Sequence, residues 1–535
     1  MQTTPFIAFL LKGTTRNSPK ESLPYGTPYA AALVVLTVPF AAYSISILYS
    51  FYGIGSSFHD AGWSAYLIHE SDFLVHNPPC VDDGVSWLNS HISPLFLATS
   101  GLGRLLPLTR IQFYAAYIGV SHALPAIAVF WLLMSGYHMT RPVPCFIAAL
   151  LALFFSFDGL ALAIARFPHF TMFLVGTGIM FLVAMVLGRV KIAALFFLLC
   201  LSTREDAGFH LFALLSILFF LERGEGIPFC EQRPILAFAI VGLVYSASAV
   251  SLQHALSDAR YSLLINEYLG NPLFSQVEPG LILRRLLGWF AYRPYVVFPA
   301  ICTLVWAIVR RNPYLMLGYV AFLPWGLLHL MAAREMVGTL PSYYAFPYMF
   351  ANLWPLISLL IQQRQSEGHR SILEPVCGFA VLILTSFITA GHLHNPTHLA
   401  FPIGFVSPPS IARQAAVDNA LQRLAATPAR QELGATLVDQ SVAALVPERY
   451  QAENILSAES HLEPDSIIFF AGGFESALAR NMAAKAGLER EYEIAGTPIR
   501  VGTNHSLSNL HELTAVRASD YATGSVTDSG GTRSP

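Results

Sequence analysis

Along this chain the apolar residues gather into long runs separated by short polar stretches, and run length decides how they are read. The first run, Thr27 to Tyr52, is long enough to span ~30 Å of hydrocarbon at ~1.5 Å per residue. Further runs lie near 111–136, 143–160, 168–188, 190–203, 207–222, 234–254, 290–309, 313–332, 341–361 and 373–391. Together they predict a mainly α chain, a polytopic membrane bundle of about eleven transmembrane helices over residues 28–391. The runs at 143–160 and 190–203 are short for a full crossing and are expected to be partial or tilted. The first run is too long for a cleaved signal peptide and no small-residue cleavage site follows it, so it reads as a retained anchor behind a cytoplasmic segment, 1–27.

After 391 the pattern changes. A proline-rich linker leads into alternating helical and strand patterns: 415–426 and 475–487 read as helices, and 435–439, 466–470 and 498–502 as short strands. Residues 392–504 are therefore expected to form a linker and a small α/β domain, outside the cytoplasm if the number of crossings is odd. The tail 505–535, rich in Ser, Thr and Gly, has the composition of a disordered segment.

Composition agrees with a membrane protein, since 54% hydrophobic and 12% charged residues exclude an ordinary soluble globule. A net charge of -2 gives no basic field for nucleic acid, so none is expected as a partner. With the N-terminus inside, Arg141, Arg189, Lys191, Arg223, Arg233, Arg310, Arg311, Arg364 and Arg370 fall in cytoplasmic loops, as the positive-inside rule requires. The same count puts Asp60, Asp72, Asp82, Asp83, Asp158, Asp206 and Asp258 outside, which locates the chemistry on the outer face. The cysteines are scattered singly and make neither a disulfide framework nor a metal site.

The first outer loop, 51–110, is the densest polar stretch. Between Gly53 and Leu97 it carries Asp60, Glu70, Asp72, Asp82 and Asp83 with His59, His69, His76 and His91. Ionisable groups between membrane segments are costly unless they face water or a lined cavity, so they are functional candidates. Trp63, Tyr66, Leu67, Phe73 and Leu74 recur at helical spacing, which predicts an amphipathic interfacial helix over Asp60 to Val75. Asp60 then lies in its first turn, as a cap or as a reactive carboxylate. His91 and His169 flank membrane segments at the same face. With Asp60 they make a donor set for a divalent cation, although metal-ligand spacing is absent and the metal stays open.

Thr203, Arg204, Glu205 and Asp206 sit between two apolar runs. Either Arg204 binds phosphate, with Glu205 and Asp206 orienting it, or the three neutralise one another as a structural cluster. Arg293 and Arg334 are further phosphate candidates, with Tyr343 and Tyr344 at the same membrane mouth. No phosphate-binding glycine loop, dinucleotide fingerprint or metalloprotease motif is present.

The order of these features resembles the GT-C class of polytopic glycosyltransferases. Within it the chain is most similar to a bacterial family, the domain-of-unknown-function 2079 membrane proteins. The residues that carry the resemblance, over about 28–400, are Asp60 in SFHDAGW, His91 in HISP, His169 in FPHF, Glu205 and Asp206 in REDAG, and Arg334 with Tyr343 and Tyr344. It implies a bacterial inner-membrane enzyme, with membrane lipids around it and its C-terminal domain extracytoplasmic. Sugar would pass with inversion from a polyprenyl-phosphate donor to a glycan, lipid or protein acceptor. Asp60 is then the general base, with Asp72 as the alternative, and the arginines hold the lipid phosphate on which charge develops. The competing class is a transporter or flippase for a lipid-linked or anionic substrate. That class favours internal repeats and half-helices at the membrane midplane, and no repeat is visible between the halves of the chain.

Overall fold

The computed structural model describes residues 27–54, 59–77, 86–136, 143–166, 168–256, 264–340, 342–365, 373–390 and, after 411, separate stretches between 412 and 516. Several expectations lie outside the described residues: those on the segment before 27, on Asp82 and Asp83, on Asp258, Arg141 and Arg370, on the proline-rich linker and on the tail. The Tyr343 and Arg364 side chains lie outside them too.

The chain is mainly helical. The helical portion begins with α1 (Thr27–Leu48), α2 (His59–Glu70), α3 (Leu95–Leu105), α4 (Arg110–Gly136), α5 (Val143–Phe157), α6 (Gly159–Arg166), α7 (Met172–Val186) and α8 (Val190–Thr203). It continues with α9 (Ala207–Gly224), α10 (Phe229–Leu256), α11 (Pro279–Tyr292), α12 (Pro294–Arg310), α13 (Leu317–Ala321), α14 (Leu323–Met331), α15 (Phe346–Gln365) and α16 (Leu373–Thr389). Among the described residues four helical stretches are long and apolar enough to cross a membrane: Ala30–Tyr52, Arg110–Ser135, Ala207–Gly224 and Phe229–Leu256. Counting each of two bent helix pairs as one span brings the number to 6. Met172–Val186, Val190–Thr203 and Glu374–Thr389 are apolar but shorter.

The breaks have local causes. The run read as 290–309 is interrupted at Arg293, where α11 and α12 meet at 96°. Pro294 supplies no N–H and steers the residue before it away from helical geometry, and Arg293 sits at φ -128, ψ 41. In the run read as 313–332, α13 and α14 bend by 40° at Phe322, with Pro324 in the first turn of α14. The run read as 143–160 ends early because Asp158 accepts hydrogen bonds from the Leu160 and Ala161 amides and starts α6.

The interfacial helix expected over Asp60 to Val75 stops at Glu70. Ser71 turns its hydroxyl back to the Leu67 carbonyl, Asp72 takes the His76 amide and ring (3.1 and 2.6 Å), and Val75 adopts a positive φ of 52°. A short antiparallel bridge between His76 and Ser86 then returns the chain to Trp87.

Hydrogen bonds and ion pairs show which helix ends meet. At one end, Tyr114 and Tyr117 of α4 donate to the Pro168 and Phe170 carbonyls ahead of α7, Gln253 of α10 donates to the Ser90 carbonyl, and Arg110 pairs with Glu70. At the other end Arg310 pairs with Glu374, Asn312 with Gln362, and Arg223 donates to the Ile227 carbonyl.

The C-terminal strands β1 (Thr436–Val438), β2 (Glu453–Asn454), β3 (Ile467–Phe470), β4 (Arg490–Ile494), β5 (Arg500–Thr503) and β6 (Leu513–Val516) form one mixed sheet in the order β2-β1-β3-β5-β4-β6. β1 runs parallel to β2 and β3, and the remaining pairs are antiparallel. The four buried residues of β3 fill its centre, and α17 (Ser476–Lys485) lays Ala479 and Met482 on Ile468 and Phe470.

A helical stretch at 414–419 touches the bundle. Tyr52, which also bonds Thr109, donates to both Asp418 oxygens at 3.2 Å, and Gln112 pairs with Gln414. Burial pushes the Asp418 carboxyl up from 3.8 to about 6, so the docked state favours its protonated form. Docking is then strongest below about pH 4 and weakens as pH rises through about 6. Protection of the 414–419 amides from hydrogen exchange, measured against the intrinsic base-catalysed rate at each pH, is expected to fall between pH 5 and 7.5. Asp418→Asn should flatten that dependence, and an unchanged profile in the variant would rule this carboxyl out.

Candidate functional site

The segment joining α8 to α9 brings charge into the bundle end. Arg204 leaves α8 in an extended conformation (φ -161, ψ 153), so its side chain turns back over its own neighbours. Its Nε lies 3.5 Å from Glu205 Oε1 and 3.3 Å from Asp206 Oδ1, and its guanidinium stands 5.6 Å from the centre of the Trp325 ring. One turn into α9, His210 Nε2 is 3.7 Å from Asp206 Oδ2, and its ring meets Phe322, Trp325 and Phe346.

Glu205 crosses to the first loop. Its Oε1 is 2.8 Å from His91 Nδ1 and its Oε2 accepts from the Ile92 amide at 3.0 Å. Trp87 packs on the His91 ring at 4.9 Å and against Phe170 at 5.9 Å. His169, beside Phe170, receives the Thr171 amide on Nδ1.

The charges follow from these partners. Burial alone would raise the Glu205 carboxyl, but the His91 imidazole and then Arg204 outweigh it and hold it below its usual range. Arg204 and then His210 do the same for Asp206 against the same burial. Neither Asp206 oxygen has a well-aligned hydrogen bond among the described residues, so the ion pairs with Arg204 and His210 are its partners there.

An aromatic wall closes one side. His329 donates from Nδ1 to the Val337 carbonyl at 2.8 Å and meets Trp325, Tyr268 and Tyr344 ring to ring. Trp325 donates to the Tyr344 carbonyl, and buried Arg285 holds the Leu330 and Ala332 carbonyls at the end of α14.

The structure thus brings together His91, His169, Arg204, Glu205 and Asp206, with Tyr344 at the wall. The other sequence candidates have different surroundings. Asp60, half-buried in the first turn of α2, acts electrostatically on Tyr114, whose hydroxyl bonds the Pro168 carbonyl next to His169. Asp72 is half exposed; burial works to raise its carboxyl, yet the His76 hydrogen bonds leave it below its usual value. Arg293 donates to the Leu340 and Tyr292 carbonyls, and Arg334, 55% exposed, grips Glu267 at 2.9 and 3.1 Å. Each candidate arginine is therefore already engaged by a carboxylate or by carbonyls. Among the described residues no three His, Cys, Asp or Glu side chains group to hold a metal ion, so His91, His169 and Asp60 do not form the donor set their sequence order suggested.

His210, Trp325, His329 and Tyr268 complete the cluster without having been singled out in the sequence. His210 was reachable, since it follows Asp206 by four residues and so shares its helix face. The wall residues come from α14 and the turn before α11, far away in sequence, and carry no local signal. Comparison of the chain with family models, with curated proteins and with solved structures finds no match in any of the three.

Proposed function

We propose that this chain is an integral-membrane glycosyltransferase of the GT-C kind, moving a sugar with inversion from a polyprenyl-phosphate donor to a glycan, lipid or protein acceptor. In this reading the apolar helices make eleven crossings of a bacterial inner membrane. The N-terminus lies in the cytoplasm and the sheet domain outside. Asp60 takes the base position that the family resemblance assigns to it.

The observation that carries the reading is the ionised, aromatic-walled cluster at one bundle end. There His91 of the long first loop meets Glu205 of the α8–α9 turn. A transferase needs proton-accepting groups and cationic groups beside one another where a lipid headgroup arrives, and this end supplies both. A second reading, a transporter or flippase, draws on the two bent helix pairs, because broken helices line many transport sites.

The test is transfer from a polyprenyl-phosphate sugar pool by purified protein in liposomes, with translocation of the same lipid followed in parallel. Transfer without net translocation supports the enzyme, and translocation without transfer sinks it. A reporter fused after residue 400 is expected to be active only outside. Cytoplasmic activity would mean that one of the short helices does not cross.

A further inference from the structure

We propose that His91, held in one tautomer by Glu205, is the base that takes the proton of the acceptor hydroxyl. The inference rests on the transferase reading above and changes which residue does its proton chemistry.

Glu205 is ionised and therefore only accepts, so the 2.8 Å contact requires His91 to carry its proton on Nδ1. That leaves the lone pair on Nε2, the atom a base uses. The carboxylate is itself fixed at its second oxygen by the Ile92 amide, and Trp87 supports the imidazole face. The His91 side chain is 16% exposed and Glu205 8%, so the imidazole is the more accessible partner and the carboxylate lies behind it. A carboxylate behind an imidazole fixes its orientation and stabilises the imidazolium that forms, the logic of a catalytic dyad.

His169 has the opposite polarity. His169 Nδ1 lies 2.9 Å from the Thr171 hydroxyl and 3.4 Å from the Thr171 amide, and because the amide can only donate, the pair favours a lone pair on Nδ1.

In the step, the acceptor O–H proton passes to His91 Nε2 while the acceptor oxygen bonds to the anomeric carbon. The bond from that carbon to the phosphate oxygen breaks, its electron pair leaves with the polyprenyl phosphate, and the imidazolium later gives its proton to water. Glu205 is a positioning residue, since it acts through His91.

The test combines turnover with a readout that needs no reaction. The charged and titratable groups facing His91 among the described residues are Glu205, Arg204, Asp206 and His169. In purified protein in nanodiscs, His91→Gln is expected to lower kcat by ~10²–10⁴ with donor binding little changed. Glu205→Gln should lower kcat with donor binding little changed and should mix the two His91 tautomers, because an amide can donate as well as accept and no longer fixes the ring proton on Nδ1. Nitrogen-15 NMR of labelled histidine, assigned through His91→Gln, should find His91 protonated on Nδ1 in the wild type. Near-normal turnover in a stable His91→Gln protein, with the loss carried by Asp60→Asn instead, overturns the proposal, as does an Nε2-protonated His91. If wild-type protein transfers no sugar while His91 is protonated on Nδ1, the dyad stands and the glycosyl-transfer reading falls.

Discussion

Arg204→Met is expected to prevent the protein from accumulating in folded form, while the triple variant Arg204→Met, Glu205→Gln, Asp206→Asn accumulates and is inactive. The single variant leaves two buried carboxylates side by side with only imidazoles to answer them. Arg204 and Glu205 are 7% and 6% exposed, so water cannot take over the role of the guanidinium. Breaking a buried pair by removing one partner costs ~3–5 kcal/mol, a large part of the stability of a domain. Neutralising all three side chains removes the charges that needed compensation, so the fold should recover. Arg204→Lys should lie between these, because a point charge cannot reach Glu205, Asp206 and the Trp325 face together. The measurement is the monodisperse fraction of detergent-extracted protein, with thermal stability beside it. If Arg204→Met is as stable as wild type but binds donor poorly, the guanidinium serves the phosphate and its ion pairs are incidental.

How much of this was legible in the sequence depends on whether the signal was local. Apolar runs announced the helices because lipid imposes length and apolarity on every crossing segment, and α1, α4, α9 and α10 fall inside or around the runs that predicted them. Bends were harder. Pro294 and Pro324 were visible, but an apolar run reads the same whether it is straight or folded by 96°. The α2 helix was read as longer than it is because Phe73 and Leu74 continued the apolar spacing, although Phe73 is 82% exposed and belongs to the turn that Asp72 organises. At the site, the Arg204–Asp206 triplet announced itself as charge at membrane depth. What it pairs with did not, since His91 lies 114 residues away and Trp325 further still. Of the two roles the sequence left open for Arg204, phosphate binding and mutual neutralisation, the ion pairs with Glu205 and Asp206 are those of the second, and Arg334 likewise grips Glu267: sequence shows a cation, but only the fold shows whether an anion already holds it.

Gly208→Val is expected to abolish activity and to lower thermal stability markedly, and Gly242→Ala to be much milder. The two glycines face each other where α9 crosses α10, and close backbone approach through small residues is how helices associate when lipid provides no hydrophobic drive between them. A Cβ at Gly208 would overlap the Gly242 carbonyl and the Ser246 hydroxyl, and a backbone carbonyl cannot step aside without moving its helix. At Gly242 the added carbon meets the Gly208 carbonyl at 3.1 Å, which a shift of a few tenths of an ångström relieves. Overpacking of this kind costs ~1–3 kcal/mol, and here the strain falls on the first turn of α9. That turn carries Asp206 just before it and His210 within it, and the Phe209 amide is tied to Ser246 at 3.2 Å. Moving α9 away from α10 therefore carries Asp206 away from Arg204, so the loss of turnover should exceed what unfolding alone explains. Thermal melts and transfer assays on both variants check this. A Gly208→Val protein with wild-type melting and turnover would mean that the helices do not pack at this crossing.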